Sequence, residues 1–212
     1  MSDTFRIEFS LVSPNAYDAF SRAFRDVPHV ALHREPIDKI KADCIATTAN
    51  SYGRMDGGID GTVNAMMTYY EPNQSYFHER VQSMIRSRYC GEQPVGTTLL
   101  MRTHHPTYRW VAHMPTMRVP EDVSESLNAY LAFRSLLVEI LWYNKIITSP
   151  NTNNADIISS VVCVPCCTSS GSMSYERSAR QMRAAWDSVF ADPPKMEDWP
   201  LLHRAHRELR GA

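Results

Sequence analysis

The stretch Asp43-Cys44-Ile45-Ala46-Thr47-Thr48-Ala49-Asn50-Ser51-Tyr52-Gly53-Arg54-Met55-Asp56-Gly57-Gly58-Ile59-Asp60-Gly61 decides how this chain folds. Cys44 to Thr48 is a run of small and β-branched residues, the composition of a buried strand. Asn50 and Ser51 close it, and a glycine-rich turn carrying the carboxylates Asp56 and Asp60 follows. From Ile59 the apolar period lengthens, which places Ile59, Val63, Met66 and Tyr70 on one face of a helix. A strand that passes through a glycine-rich loop into a helix N-terminus is suited to hold a phosphate. Backbone N–H groups point at the anion, and glycine lets it come close. Asn50, Asp56 and Asp60 stand at the rim of such a pocket.

Outward from this stretch, strands alternate with helices. Phe5, Ile7, Phe9 and Leu11 alternate with polar residues, a half-buried strand. Ser13 is suited to cap a helix and Pro14 to begin it, with Ala16, Phe20, Ala23 and Val27 inward. Val30 and Leu32 predict a short strand ending at Pro36. A helix over residues 74–88 turns Phe77, Val81, Met84 and Ile85 inward, and a strand covers 97–101. Another strand starts at Trp110 and stops at Pro115. The longest helix, 124–144, carries Tyr130, Phe133, Leu137, Ile140 and Leu141 as its stripe, and its apolar breadth predicts burial on more than one side. Residues 151–154 are a polar loop. Residues 157–164, the most β-branched segment, predict a central strand. A small-residue loop, 165–172, then leads to a helix with Ala179, Met182, Trp186 and Val189 on one face.

This alternation predicts an α/β fold: a three-layer α/β/α sandwich with a mostly parallel, mixed central sheet. Residues 1–192 make the domain and 193–212 a C-terminal helical extension. Ligands of such sheets sit beyond the carboxyl ends of the strands. The loops after Asn50 and Val164 therefore form one cleft, wide enough for a diphosphate.

Composition narrows the function classes. A formal net charge of −1 gives no electrostatic case for nucleic acid or a membrane surface. No apolar run approaches the roughly 20 residues of a membrane helix, and the first residues do not form a signal peptide. Five cysteines, three of them within 163–167, do not make a secreted disulfide framework. The expected location is cytoplasmic or nucleocytoplasmic, not secreted.

Several residues admit a bland reading beside a functional one. Asn50 can cap its own turn, and a carboxylate such as Asp60 is favoured at a helix start for structural reasons alone. Asp56 can cap a turn, bind a cation or repel an anion. Cys163-Val164-Pro165-Cys166 has metal or redox spacing, but a structural zinc site needs about four ligands and no second pair follows. Cys166 or Cys167 as a nucleophile at a helix start is weighed against small loop residues. His104-His105 reads as an exposed turn, His113 as a packed residue, and Phe77, His78, Tyr69 and Tyr70 as helix packing.

Asp43-Cys44-Ile45 through Asn50-Ser51, followed by Asp56-Gly57-Gly58-Ile59-Asp60-Gly61, resembles the macrodomain signature. That pattern runs Asp-Ala-Ile-Val-Asn-Ala-Ala-Asn-Ser, a short spacer, then Gly-Gly-Gly-Val-Asp-Gly. Pro115-Thr116-Met117-Arg118-Val119-Pro120 and Ser178-Ala179-Arg180-Gln181-Met182-Arg183 look closest to the branch found in bacterial and phage tail-associated proteins. The resemblance implies binding of ADP-ribose or an ADP-ribosylated protein, without metal or cofactor, and hydrolysis of an ADP-ribosyl bond on a protein or of O-acetyl-ADP-ribose. It implies that Asn50 contacts the distal ribose and that Asp60 activates or positions water, the catalytic pair. Asp56, Gly57, Gly58 and Ile59, with Ser169, Ser170, Gly171, Ser172 and Met173 of the second loop, are the implied ligand-binding set. Departures from the pattern leave two alternatives open: a non-catalytic reader of ADP-ribose, and a structural protein that no longer binds it. Thr47 stands where hydrolytic members often carry an asparagine. Asp56 replaces a glycine, Pro36 an adenine-binding aspartate that Glu35 or Asp38 can substitute for, and the second loop keeps only Gly171.

Overall fold

Apolar side chains at every second position, small or β-branched in the middle strands, assemble one six-stranded sheet in the computed structural model, which describes residues 5–72, 75–148, 156–191 and 198–211. The strands are β1 (Arg6–Ser10), β2 (Val30–His33), β3 (Cys44–Asn50), β4 (Leu99–Arg102), β5 (Trp110–Met117) and β6 (Ser160–Cys163). Their order is β2-β1-β6-β3-β5-β4. All neighbours are parallel except the β4/β5 pair at one edge. Helices α1 (Pro14–Phe24), α4 (Asn128–Ile147) and α5 (Tyr175–Phe190) cover one face, against Phe9, Ala46, Met114 and Cys163. Helices α2 (Gly58–Thr68) and α3 (Phe77–Tyr89) cover the other, against Ile45, Leu99, Val111 and Val162. The expected three-layer α/β/α architecture is the observed one. Helix α6 (Trp199–Arg210) carries no buried residue. Among the described residues no helix is long and apolar enough to cross a membrane.

Local readings needed correction in four places. The strand expected to stop at Pro115 continues to Met117, because β4 has ended by His113 and a register shift opposite Ala49 and Asn50 absorbs the missing N–H. Helix α2 turns Asp60, Val63 and Met67 inward and leaves Tyr70 exposed, since Asp60 reaches down to a partner on β3. On α3, Phe77, Val81 and Ile85 are buried while Met84 faces solvent. Helix α4 is buried along one side only, and its second apolar stripe, Leu131, Val138, Trp142 and Ile146, is exposed. The 151–154 loop, Gln74 and the expected boundary between 192 and 193 lie outside the described residues.

At the amino ends of the central strands Asp43 ties β3 to β6. Its carboxylate accepts from the Ser159 N–H at 2.9 Å and hydroxyl at 2.6 Å, from the Ser160 N–H at 3.1 Å, and from Arg109 Nη2 at 2.6 Å. Burial alone would raise its pKa, but these donors outweigh it and hold the group below the ordinary carboxylate value. A depressed folded pKa gives stability that is complete above the unfolded value, near 3.8, and lost as pH falls through the folded one. Asp43→Ala is expected to cost about 1.5–3 kcal/mol at pH 7, the range for hydrogen bonds to a charged group. Urea denaturation at pH 7 and pH 3 checks it: the penalty must shrink at the lower pH.

Candidate functional site

Four strands, β1, β6, β3 and β5, bring their carboxyl ends to one edge, where a cleft of about 600 Å³ opens. Helix α1 leaves on one face of the sheet and α2 on the other, so no helix closes the gap between them. Thr48, Ala49 and Asn50 form part of the lining, the 54–60 turn one wall, and the 164–171 loop the opposite wall.

The first wall is built by its own turn. Asn50 Oδ1 accepts from the N–H groups of Tyr52 (3.0 Å) and Arg54 (3.3 Å), and its Nδ2 donates to the Arg54 carbonyl (3.0 Å). Gly53 is required here: at φ +63°, an added Cβ would lie 2.8 Å from Ile85 Cδ1. The turn is clamped from outside by Glu92, which accepts from Tyr52 Oη (3.0 Å) and from Arg118 Nε (2.7 Å). Arg54 and Asp56 pair at 2.5 Å on the rim, so a guanidinium offsets the charge of Asp56 beside the helix start. Gly57, at the N-cap of α2, supplies no side-chain cap, and no atom lies within 4 Å of where a Cβ of Gly57 or Gly58 would be. The first N–H groups of α2 have no partner inside the helix, and Gly57, Gly58, Ile59 and Asp60 all line the cleft.

Asp60 sits in that first turn, lines the cleft and is 6% exposed. The Thr47 hydroxyl donates to its Oδ1. Burial pushes its pKa up to about 7, with the charge of Asp56 adding and the Thr47 hydrogen bond opposing. It is a carboxyl able to exchange a proton near neutral pH. His113, the register partner of Thr47, is fully buried and neutral: its Nδ1 is paired with Gln93 Oε1 at 2.8 Å, and burial lowers its pKa to about 3.

The second wall runs from Val164 to Gly171. Cys167 and Ser172 take left-handed backbone conformations, and the Met173 N–H closes the loop onto the Cys167 carbonyl at 3.0 Å. A Cβ on Gly171 would lie 2.5 Å from that carbonyl oxygen and 2.8 Å from Val123 Cγ2. Among the described residues, the N–H groups of Ser169, Ser170 and Gly171 meet no acceptor, while Thr168 closes a turn over 165–168. All four residues line the cleft. Cys167 also lines it, but burial raises its thiol to about 12, and Cys44, Cys163 and Cys166 are raised further. None is placed to act as a thiolate.

Of the residues singled out from sequence, Asn50, Asp56, Gly57, Gly58, Ile59, Asp60, Ser169, Ser170 and Gly171 line the cleft. Ser172 and Met173 do not: the left-handed turn at Ser172 carries the chain away, and Met173 is buried in the core at 2% exposure. Sequence reading overlooked Arg54, the segment 10–13 with Ala16, and Tyr175 as lining residues. Arg54 lay within the glycine-rich turn. The others carry no local signal, because the sheet order alone puts β1 beside β6.

A helix N-terminus and the 168–171 loop stand on opposite walls of one cleft, beyond the carboxyl ends of parallel strands in an α/β/α domain. The fold is that of the macrodomains. The macrodomain of Mycobacterium tuberculosis DarG superposes with a TM-score of 0.55, covering 76% of this chain and 95% of its own, at 15% identity. An Oceanobacillus iheyensis macrodomain with MES bound gives 0.54, with 82% and 88% covered at 14% identity. A Trypanosoma brucei macrodomain in complex with ADP-ribose gives 0.50, with 84% and 63% covered at 16% identity. No family model matches the sequence, and no curated protein matches it.

Proposed function

We propose that the cleft binds ADP-ribose and hydrolyses an ADP-ribosyl linkage, on a mono-ADP-ribosylated protein or in O-acetyl-ADP-ribose. One observation supports the binding: two sets of N–H groups without a protein acceptor, from the first turn of α2 and from Ser169 to Gly171, belong to residues lining one cleft. A diphosphate supplies those acceptors to both sets at once. Val12, Ser13, Pro36, Ile37 and Asp38 flank the end of the cleft near β1, an apolar slot with one carboxylate to take a base edge. The distal ribose then falls toward Asn50 and Asp60. Asp60, ionising near pH 7, takes the proton of the attacking water.

A second reading, binding without turnover, is favoured by Asn50, whose carboxamide is engaged by its own turn on both the oxygen and the nitrogen. Of the residues that carry the likeness to the tail-associated branch, Thr116, Met117 and Pro120 line the cleft, and Ser178 and Gln181 brace its surroundings. Ser178 Oγ donates to the Cys166 carbonyl (2.8 Å) and Gln181 Nε2 to the Ser126 carbonyl (2.8 Å). Residues 193–212, with α6, are an appended helical extension in this reading.

Calorimetry with ADP-ribose is expected to give one site per chain, with a dissociation constant in the micromolar range or tighter. Absence of heat and of a thermal shift at about 1 mM ligand would reject binding. Release of label from mono-ADP-ribosylated protein then separates hydrolysis from binding alone.

A further inference from the structure

Thr47 departs from the signature in sequence, and in the fold it lies against the Asp60 carboxyl. It is 0% exposed and does not line the cleft, whereas Asp60 does. Its hydroxyl donates to Asp60 Oδ1 and is the one hydrogen-bond donor to that carboxyl among the described residues. Asp60 Oδ2 takes no hydrogen bond among them, yet it is not sealed from solvent. The carboxyl therefore has one oxygen held from the β3 side and one open to the cleft. Threonine suits this better than serine, because branching at Cβ restricts χ1 and the strand backbone then fixes where the hydroxyl points.

The other groups around this carboxyl oppose its ionised form or leave it unaffected. At the start of its own helix Asp56 adds negative charge, and the Arg54 guanidinium is engaged by Asp56 at 2.5 Å. On β5, His113 stands beside Thr47 in register and is held neutral by burial, its Nδ1 paired with Gln93. Helix α3 brings the uncharged Phe77, Val81 and Ile85 to this side of the sheet. Across the cleft the 164–171 loop carries no charged residue, and Asp38, at the end near β1, is paired with Lys39 at 2.9 Å. Thr47 is thus the group that favours carboxylate over acid. A buried carboxylate stripped of its donor is driven toward the neutral form.

We propose that Thr47 is the positioning residue of the site: its hydroxyl holds Asp60 Oδ1 on the β3 side, so that Oδ2 is the oxygen that meets the attacking water. This role rests on the hydrolytic reading of the cleft. In that step the water oxygen bonds to the carbon of the ADP-ribosyl linkage and Oδ2 takes a proton from it. The bond to the leaving group breaks with its electron pair going to that group, which then collects the proton from Oδ2. The Thr47 proton stays on Oγ1 throughout.

Thr47→Val keeps the shape and removes the donor. Its pH profile of single-turnover release is expected to move about one unit or more to the alkaline side, because a hydrogen bond to a charged group is worth about tenfold or more in proton affinity. With the wild-type group half ionised near pH 7, release there should fall at least about fivefold and recover toward wild type above about pH 9. The Asp60 carboxyl, followed by carbon NMR in the ligand-free protein, should show the same displacement. Thr47→Ser retains a donor and should bring the midpoint most of the way back, while Thr47→Ala, with no branch to fit, should match Thr47→Val. Affinity for ADP-ribose at pH 5.5 should be the same in all of them, since Asp60 is protonated there and Thr47 does not line the cleft. A merely structural role would lower release equally at every pH with the midpoint in place. That result, or an Asp60 midpoint unmoved in Thr47→Val, overturns the proposal. No release by wild type at any pH would remove hydrolysis and this role together, whereas release with an unmoved midpoint removes the role alone.

Discussion

On the proposed hydrolytic reading, Asp60→Asn is expected to stop ADP-ribosyl release and, at pH 8, to raise the melting temperature. The carboxyl goes from 3.8 in the unfolded chain to about 7 in the fold, because folding removes it from water and sets it near Asp56. Between those values the folded state holds a proton that the unfolded state has lost, so stability falls as pH rises from about 4 to 7 and is level above. Keeping the group ionised at pH 8 costs at most about 4 kcal/mol, at roughly 1.4 kcal/mol per pKa unit. An amide keeps an oxygen for the Thr47 hydroxyl and carries no charge, so it recovers part of that cost. In that reading turnover requires the ionised form and should climb through pH 7 in the wild type, while affinity for ADP-ribose should decline over the same range, because a negative charge would appear beside the proposed diphosphate position. Loss of the group should cost 10²- to 10⁴-fold in rate. Single-turnover release and thermal melts at pH 5.5 and 8 test both halves. Unchanged release would remove Asp60 from the chemistry, and an unchanged melting temperature at pH 8 would show that its charge is not buried.

Gly171→Val should damage both fold and binding. The residue does not need glycine for its backbone angles; it needs the space. A Cβ there meets the Cys167 carbonyl and the Val123 side chain, and the carbonyl cannot yield because it already accepts the Met173 N–H. Overpacking of this kind costs about 1–3 kcal/mol, or roughly 2–12 °C in a chain of this length. Displacing Ser169 to Gly171 also misaims the free N–H groups, and a shift of about 1 Å can cost a hundredfold. Gly57→Ala is the contrast: its backbone is extended and its surroundings open, so it should melt with wild type. Equal melting temperatures for Gly171→Val and wild type would sink this account of the loop.

Sequence by itself determined the order of strands and helices, the central place of the most β-branched segment, and the strand–turn–helix around Asn50. These follow from side-chain periodicity and glycine placement, which act within a few residues. It also marked both loops that line the cleft. What it left open was every question settled by residues far apart in the chain. Thr47 and Asp60 read separately as a core residue and a helix-start carboxylate, and packing of α2 on β3 makes them a pair that shifts a proton equilibrium. Pro115 reads as a strand end, yet β5 runs past it because the neighbouring strand is already over. The breadth of α4 reads as burial on two sides, and the sheet covers only one, leaving Leu131, Val138 and Trp142 outside. Local pattern fixes which residues can form an element. Only the tertiary structure decides which faces are dry: burial raises the pKa of Asp60, and the sheet leaves one face of α4 exposed.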